Sequence, residues 1–362
     1  MRPPPSIAEL GWSAARESAF APLAASGLVP GRVVLEHNHV FRVWTTSGEV
    51  LAEVAGTLKH RASARHELPV VGDWVGVRLD PAGARSQIRE VLPRQTRFSR
   101  KAAGRDTVEQ VVAANIDTLF IVFGLDSPVN TRAIERYLVV GRHGGTDPVI
   151  LLNKADLATR PEASRAEAAA VAGSAPVLLV STKGGVGLTE LEGRMERGRT
   201  VALIGPSGVG KSSIVNELVG RDMLAIGAVR EWDQRGRHTS VHRQLVVRDA
   251  GGLVIDTPGM RELQLWDVGN VGEAFDDIAA LASACRFRDC RHDTEPDCAV
   301  KMAVDAGGVD RARYASYLKL QHEQVDLARK REARDLNDAR RRARTPQKGP
   351  RTPDKERTRE RR

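Results

Sequence analysis

The stretch Gly205-Pro206-Ser207-Gly208-Val209-Gly210-Lys211-Ser212 constrains this chain more than any other. It fits G-x-x-x-x-G-K-[ST], and its flanks supply the context such a loop needs. Val201-Ala202-Leu203-Ile204 reads as a short buried strand, and Ser213 to Val219 reads as a helix with Ile214, Val215 and Leu218 on one face. Strand, glycine-rich turn and helix start together aim backbone N–H groups at one point, at the positive end of a helix dipole. That geometry accepts the phosphates of a nucleotide along Gly205 to Ser213. Lys211 would reach the β- and γ-phosphates, and the Ser212 hydroxyl would ligate Mg²⁺.

At 362 residues the chain is long enough for two or three domains. No run of 18 apolar residues occurs, and the start, Met1-Arg2-Pro3-Pro4-Pro5, lacks a signal peptide's apolar core. A cytoplasmic protein without membrane contact is expected. The net charge of +9 is unevenly placed, because residues 329–362 hold 15 Lys/Arg against 6 Asp/Glu and so carry the whole surplus. A basic tail on a neutral body suits a polyanionic partner or a solvated end, and its scarcity of apolar residues after Leu336 predicts disorder. All three cysteines lie between 285 and 298, which points to a metal site rather than disulfides.

Taken in order, residues 1–28 read as a helical lead-in. From Gly31 to about Leu92, five short strands separated by turn signals predict a small closed barrel, an OB-fold by first choice and an SH3-like barrel by second. The basic linker 94–104 could touch a phosphate backbone or be an exposed connector. From Asn115 strands alternate with helices, which predicts a parallel sheet covered on both faces. The expected segments are thus 1–108, lead-in and barrel with the basic linker; 109–272, an α/β domain; 273–325, a helical cysteine-bearing module; and 326–362, a disordered basic tail.

Asn153-Lys154-Ala155-Asp156 fits N-K-x-D at the end of a predicted strand. A carboxylate at Asp156 can accept from both N1–H and the exocyclic amine of guanine, a donor pair that adenine lacks. The Lys154 stem would cover the base and Asn153 would tie the loop down. Ser181-Thr182-Lys183 stands where a backbone N–H could meet the guanine O6. Asp256-Thr257-Pro258-Gly259 supplies D-x-x-G, with Asp256 holding Mg²⁺ through water and the Gly259 N–H sensing the γ-phosphate. Thr239 is the candidate switch threonine on Mg²⁺, with Ser240 as fallback. No glutamine stands next to Gly259, where Met260 follows instead, so another group must orient the attacking water. Cys285-x₄-Cys290-x-His292-x₅-Cys298 offers a complete tetrahedral Zn²⁺ set with no position open for catalysis.

The order of these motifs is informative. Ordinary GTPases run phosphate loop, switch threonine, D-x-x-G, N-K-x-D; here N-K-A-D and S-T-K come before the phosphate loop, so the domain reads as circularly permuted. With Val71-Gly72-Asp73, Leu92-Pro93-Arg94, Arg237-His238-Thr239 and the cysteine cluster, residues 30–325 closely resemble the RsgA (YjeQ/EngC) family of small-ribosomal-subunit-dependent GTPases. That resemblance implies a multi-domain α/β protein: an OB-fold barrel, a circularly permuted P-loop GTPase domain and a C-terminal helical zinc-binding domain. It further implies one structural Zn²⁺, GTP/GDP and Mg²⁺ as ligands, and the small ribosomal subunit and its rRNA as partners of a monomer. It supports His238 as the group that positions the attacking water, with Thr239 and Lys211. The expected activity is GTP hydrolysis during late assembly of the small subunit, stimulated by that subunit. The rival is a nucleotide-gated RNA-binding module whose slow hydrolysis is a timer; a small-molecule kinase fits N-K-A-D poorly.

Overall fold

The computed structural model describes residues 5–81, 83, 85–101, 109–220, 244–256 and 271–344. The lead-in is a helix, α1 (Ala14–Ala25), whose first turn is capped by Ser13 accepting from the Arg16 N–H. Its Phe20 and the preceding Trp12 pack edge-on against each other, and Trp12 also meets Trp74 of the barrel at 4.8 Å between ring centroids.

The barrel strands are β1 (Val29–His37), β2 (Val40–Thr45), β3 (Gly48–Val54), β4 (Trp74–Arg78) and β5 (Ser86–Val91), with a short helix, α2 (Gly56–Arg61), after β3. Asn38 and His39 both adopt positive φ, the two-residue hairpin turn that the strand twist favours. Pairing runs β1-β2-β3-β5-β4 and closes through β1–β4, with β3–β5 the one parallel pair among them. This is the five-strand closure expected of an OB-type barrel.

β1 is shared. Its first half pairs with β4, from Val29 to Arg32. Val34 is then extra in the pairing with β2, a bulge that bends the strand. Past it, Leu35 pairs with Gln244, so the barrel is stitched into the sheet of the next domain.

The segment after the barrel departs from an exposed linker. β6 (Arg97–Lys101) pairs antiparallel with β7 (Glu109–Ala114), and Phe98 is buried. Thr96 and Arg97 bond to Ile116 and Gly144, so residues 94–101 are built into the domain junction. The expected boundary at 108 therefore falls within this ribbon. β7 escapes an alternation reading because Val111 to Ala114 are buried in succession.

The α/β domain contains β8 (Thr118–Gly124), α3 (Thr131–His143), β9 (Asp147–Asn153), α4 (Pro161–Ala172), β10 (Val177–Leu179), α5 (Leu188–Gly193), β11 (Thr200–Ile204), α6 (Lys211–Val219), β12 (Gln244–Val247) and β13 (Leu253–Asp256). The strand order is β10-β9-β8-β11-β13-β12, parallel throughout except for β12. β8 and β11 are apolar without alternation because helices cover both faces.

The C-terminal module comprises α7 (Asp276–Ala282), α8 (Ala299–Asp305) and α9 (Arg311–Arg344). α9 corrects the expectation of disorder from residue 326, since it continues as helix to Arg344. Tyr317 and Leu320 anchor its first turns in the core. Beyond them the sequence is rich in Ala, Arg, Lys and Glu, strong helix formers that need no core to extend a helix already begun. Residues 345–362 lie outside the described residues. Among those described, no helix is long and apolar enough to cross a membrane.

Candidate functional site

The carboxyl ends of β11, β8 and β9 converge on one edge of the sheet. There the chain leaves β11 at Ile204 and turns through Gly205 to Gly210 into α6. Gly205 has φ +142°, and a Cβ on it would sit 2.1 Å from the Val122 carbonyl oxygen of β8. Gly210 has φ +95°, and a Cβ there would meet the Asn153 side-chain nitrogen at 2.3 Å. These two glycines are therefore required by close approach as well as by backbone conformation. Between them Ser207 and Gly208 are exposed, Pro206 is half-buried and Val209 is packed inward.

Asn153 explains how the loop is held. Its Nδ2 donates to the Val209 carbonyl at 2.8 Å, joining the end of β9 to the phosphate loop. Its Oδ1 is buried without a partner among the described residues. Lys211 donates from Nζ to the carbonyls of Gly205 at 2.8 Å and Pro206 at 2.5 Å, holding its ammonium across the mouth of the loop. Ser212 and Ser213 are exposed in the first turn of α6, where N–H groups have no intrahelical acceptor. An anion in this loop would meet a helix N-terminus and a lysine together.

At the other end of the site, Asp156 is exposed and its Oδ1 accepts from the Ser181 hydroxyl at 2.5 Å. That hydroxyl in turn accepts from the Gly184 N–H at 2.9 Å, so buried Ser181 orients the carboxylate and shapes the Thr182-Lys183 turn. Thr182 is half-buried and Lys183 exposed. Lys154 has φ +62° and its Nζ lies 2.6 Å from Asp126 Oδ2, a partner outside every motif and not singled out in the sequence.

Asp256 ends β13, beside β11 in the sheet. Burial pushes its carboxyl above the usual carboxylate range, the state of a buried acid that gains from a nearby cation. Thr257 to Gly259, and the whole of 221–243 with His238, Thr239 and Ser240, lie outside the described residues, as does Met260.

The cysteine cluster is assembled. Cys285, Cys290, His292 and Cys298 bring their ligand atoms within 4.8 Å of one another. Cys285 Sγ and Cys298 Sγ lie 3.5 and 3.4 Å from His292 Nδ1 and 3.9 Å from each other. The edges of a tetrahedron with zinc–sulfur and zinc–nitrogen bond lengths are about 3.6–3.8 Å, so these donors fit Zn²⁺. Desolvation and the neighbouring sulfurs push the Cys290 thiol up to about 11, so metal binding there must release a proton. His292 has φ +62°, and its carbonyl accepts from the Tyr314 hydroxyl of α9, which ties the ligand loop to that helix.

The family motifs outside the nucleotide site also acquire a physical role. Arg94 clasps buried Asp73 through two bonds, 2.8 Å from Nε to Oδ1 and 2.7 Å from Nη2 to Oδ2. Arg94 also donates to the carbonyls of His66 and Leu68. Gly72 (φ +91°) lets the Ala114 carbonyl approach where a Cβ would lie at 2.1 Å. Val71-Gly72 thus meets Ala114 of β7, while Arg94 fixes the 66–73 turn that carries it.

A strand order of this kind, with the base-recognition strand before the phosphate loop in sequence, defines a circularly permuted P-loop GTPase carrying a β-barrel ahead of it and a metal-ligand cluster behind. The profile of the RsgA GTPase family matches residues 91–266. A small ribosomal subunit biogenesis GTPase RsgA of Opitutus terrae is 45% identical over 335 residues, covering 90% of this chain and 91% of that protein. The crystal structure of YjeQ from Thermotoga maritima matches with a TM-score of 0.60 and 26% identity, over 82% of this chain and 99% of that one. YloQ, described as a circularly permuted GTPase, matches in fold with a TM-score of 0.60 at 24% identity, over 83% of this chain and 96% of that one. The chain belongs to the RsgA GTPase family.

Proposed function

We propose that this protein hydrolyses GTP and acts, through its nucleotide state, on the assembling small ribosomal subunit in the cytoplasm, as a monomer contacting rRNA. The observation that carries the nucleotide reading is the bond from Asn153 Nδ2 to the Val209 carbonyl, which fixes the N-K-x-D turn against the phosphate loop. In this reading Asp156, oriented by Ser181, accepts from guanine; the Lys154 stem covers the base; and Thr182 and Lys183 offer backbone N–H groups to O6. Gly205 to Ser213 cradle the phosphates, and Lys211 exchanges its two loop carbonyls for β- and γ-phosphate oxygens. Ser212, Thr239 and Asp256 would hold Mg²⁺, which would supply positive charge against that of the phosphates. Gly259 would sense the γ-phosphate. His238 positions water for attack on the γ-phosphorus as the bond to the β-phosphate oxygen breaks, leaving GDP and inorganic phosphate. The name of the Opitutus relative supports the ribosomal partner, and the Arg- and Lys-rich sequence from Arg329 on suits a phosphate-rich surface. Cys285, Cys290, His292 and Cys298 would hold one structural Zn²⁺.

The test of the nucleotide reading is Asp156→Asn, which swaps an acceptor for a donor and should move preference from guanine to xanthine nucleotides. Equal GTP and ATP affinity in the unaltered protein would sink it. Multiple-turnover hydrolysis with and without small subunits tests the partner, with stimulation on the order of 10³-fold expected if the subunit orders the switch segments. His238→Ala should lower the stimulated rate and leave GTP affinity nearly unchanged; an unchanged rate removes the histidine from the mechanism.

A further inference from the structure

β8 and β9 run parallel in register until Gly124 meets Asn153. Just past that pair, the Leu125 N–H donates to the Asn153 carbonyl at 2.8 Å, so the two chains stay together as they leave the sheet. The next residue on one is Asp126 and on the other Lys154, and their side chains meet at 2.6 Å. The lysine's left-handed backbone (φ +62°) turns its side chain towards this partner. Gly124 leaves room for the pair: a Cβ on it would fall 2.5 Å from Asp126 Oδ1 and 3.6 Å from Lys154 Cδ. The hydrogen bond from Lys154 holds the Asp126 carboxyl below the usual carboxylate range.

We propose that Asp126 is a positioning residue for guanine nucleotides: it anchors the Lys154 ammonium so that the lysine's methylene stem stands as a fixed wall for the base. The inference rests on the nucleotide reading above. A free lysine samples many rotamers, and ordering four methylenes at the moment of binding opposes affinity. An anchor made before the base arrives removes that opposition, which is how preorganisation raises affinity without adding contact area. Both side chains are partly exposed, at 26% for Lys154 and 47% for Asp126, so the ion pair by itself adds little to folding. Its consequence falls on binding. Because the pair lies at the base end of the site, it acts on GDP and GTP alike and leaves the γ-phosphate chemistry untouched.

The experiment uses the full chain loaded with zinc and magnesium. Dissociation constants for fluorescent GDP and for a non-hydrolysable GTP analogue are measured for the wild type, Asp126→Asn and Asp126→Glu, along with KM, kcat and the melting temperature of the nucleotide-free protein. Asp126→Asn is expected to weaken both nucleotides by about fivefold, a fraction of a charge-assisted hydrogen bond discounted for exposure. KM should rise by a similar factor, with kcat at saturation and the melting temperature unchanged. Asp126→Glu should recover most of the loss. Affinities of Asp126→Asn within twofold of wild type overturn the proposal, as does a loss matched by a fall in melting temperature. A fluorescent ATP analogue is measured on the wild type as well; if it binds as tightly as the GTP analogue, the nucleotide reading fails first, and that control tells the two failures apart.

Discussion

The barrel and the C-terminal module flank the same GTPase domain, yet they are held in opposite ways. The barrel closes on its own apolar core, in which Val33, Phe41, Val43, Val75, Val77 and Ile88 are buried together. Among the described residues the module has no separate core: Phe275, Ile278, Val300 and Val304 share one cluster with Leu138 of α3 and Ile150 of β9. The docking arginines differ to match. Arg32 is fully buried at the barrel junction and, among the described residues, donates to neutral acceptors, the carbonyls of Leu10, Gly72 and Asn115 and the Thr200 hydroxyl at 2.7 Å. Burial, with Arg16 nearby, pushes its guanidinium down to about 9. Arg313 of α9 meets two carboxylates instead, Glu135 of α3 at 2.8 Å and Asp277 of α7 through two bonds of 2.8 Å, while lying over the Phe275 ring. A closed barrel brings its stability with it and needs only a fitted joint. A module of some fifty residues is too small to bury an adequate core, so it leans on a metal and on ionic docking.

Removing the metal should break the comparison most deeply. Structural Zn²⁺ contributes about 10 kcal/mol or more to the folding of small modules, so stripping it with a chelator should abolish hydrogen-exchange protection across α7 and α8. Protection of the barrel strands and nucleotide affinity should hold. Protein that carries well under one zinc per folded chain, or that loses barrel protection at the same chelator concentration, contradicts this view.

Arg313→Ala comes next. It leaves the Glu135 carboxylate, which has no exposed surface, with Arg132 at 3.2 Å as its one remaining cation among the described residues. Breaking a buried pair by removing one partner is strongly destabilising, and with Arg132 remaining the expected loss is about 3 kcal/mol. Urea unfolding should show the module releasing before the rest of the chain. A single transition shifted by less than about 1 kcal/mol, within the range of an exposed pair, would mean that the ionic docking is incidental.

How far the sequence could anticipate this contrast depends on the kind of signal. Motifs whose chemistry is local were legible: the phosphate loop, the Asn38-His39 turn and the Cys/His spacing all need particular residues at particular steps. Strands 118–123 and 201–204 declared themselves as apolar runs. What stayed hidden is pairing at a distance. Nothing in residues 94–114 announces that Phe98 is a buried residue of a two-stranded ribbon, because alternation vanishes when both faces of β7 are covered. Arg32 and Arg313 acquire their roles only from partners far away in sequence. Asp126 belongs to no motif; its meaning comes from the β8–β9 register. The helical stretch to Arg344 was missed because absence of a core argues against packing but says little about helix propensity.

Arg32→Met should cost less than Arg313→Ala. Methionine fills similar space and removes a buried charge, which offsets part of the loss. The carbonyls of Leu10, Gly72 and Asn115 and the Thr200 hydroxyl each lose a donor, the Gly72 carbonyl keeping the Asn115 side chain, and with the buried charge gone the net loss is about 2 kcal/mol. Because the barrel core is separate, the strands should remain folded while tryptophan fluorescence reports the change beside Trp74, whose ring lies 5.3 Å from the Arg32 guanidinium. A loss equal to that of Arg313→Ala would erase the distinction between a fitted joint and an ionic one.

The smallest effect sharpens the comparison through pH. Hydrogen bonds from Arg313 are the main reason the Asp277 carboxyl titrates below its ordinary value in the folded protein. A carboxyl depressed on folding stabilises fully above its unfolded pKa, about 3.9, and the contribution is lost as pH falls through the lower folded value. The hydrogen-bond acceptors of Arg32 are neutral, but the buried Asp73 carboxyl acts on it through space and is pushed above its ordinary value by burial. Acid should therefore reach the barrel joint through Asp73 at a higher pH than it reaches the Asp277 pair. Zinc ligands also take up protons in acid, but they do so equally in wild type and in Asp277→Asn. The gap in unfolding midpoint between those two proteins therefore isolates the ion pair: open at pH 7, it should narrow steadily below about pH 4. The corresponding gap between wild type and Arg32→Met should follow Asp73 instead, narrowing at a higher pH than the Asp277→Asn gap. If the Asp277→Asn gap is flat with pH, the carboxylate docks by shape rather than charge, and the two junctions are held by the same kind of contact after all.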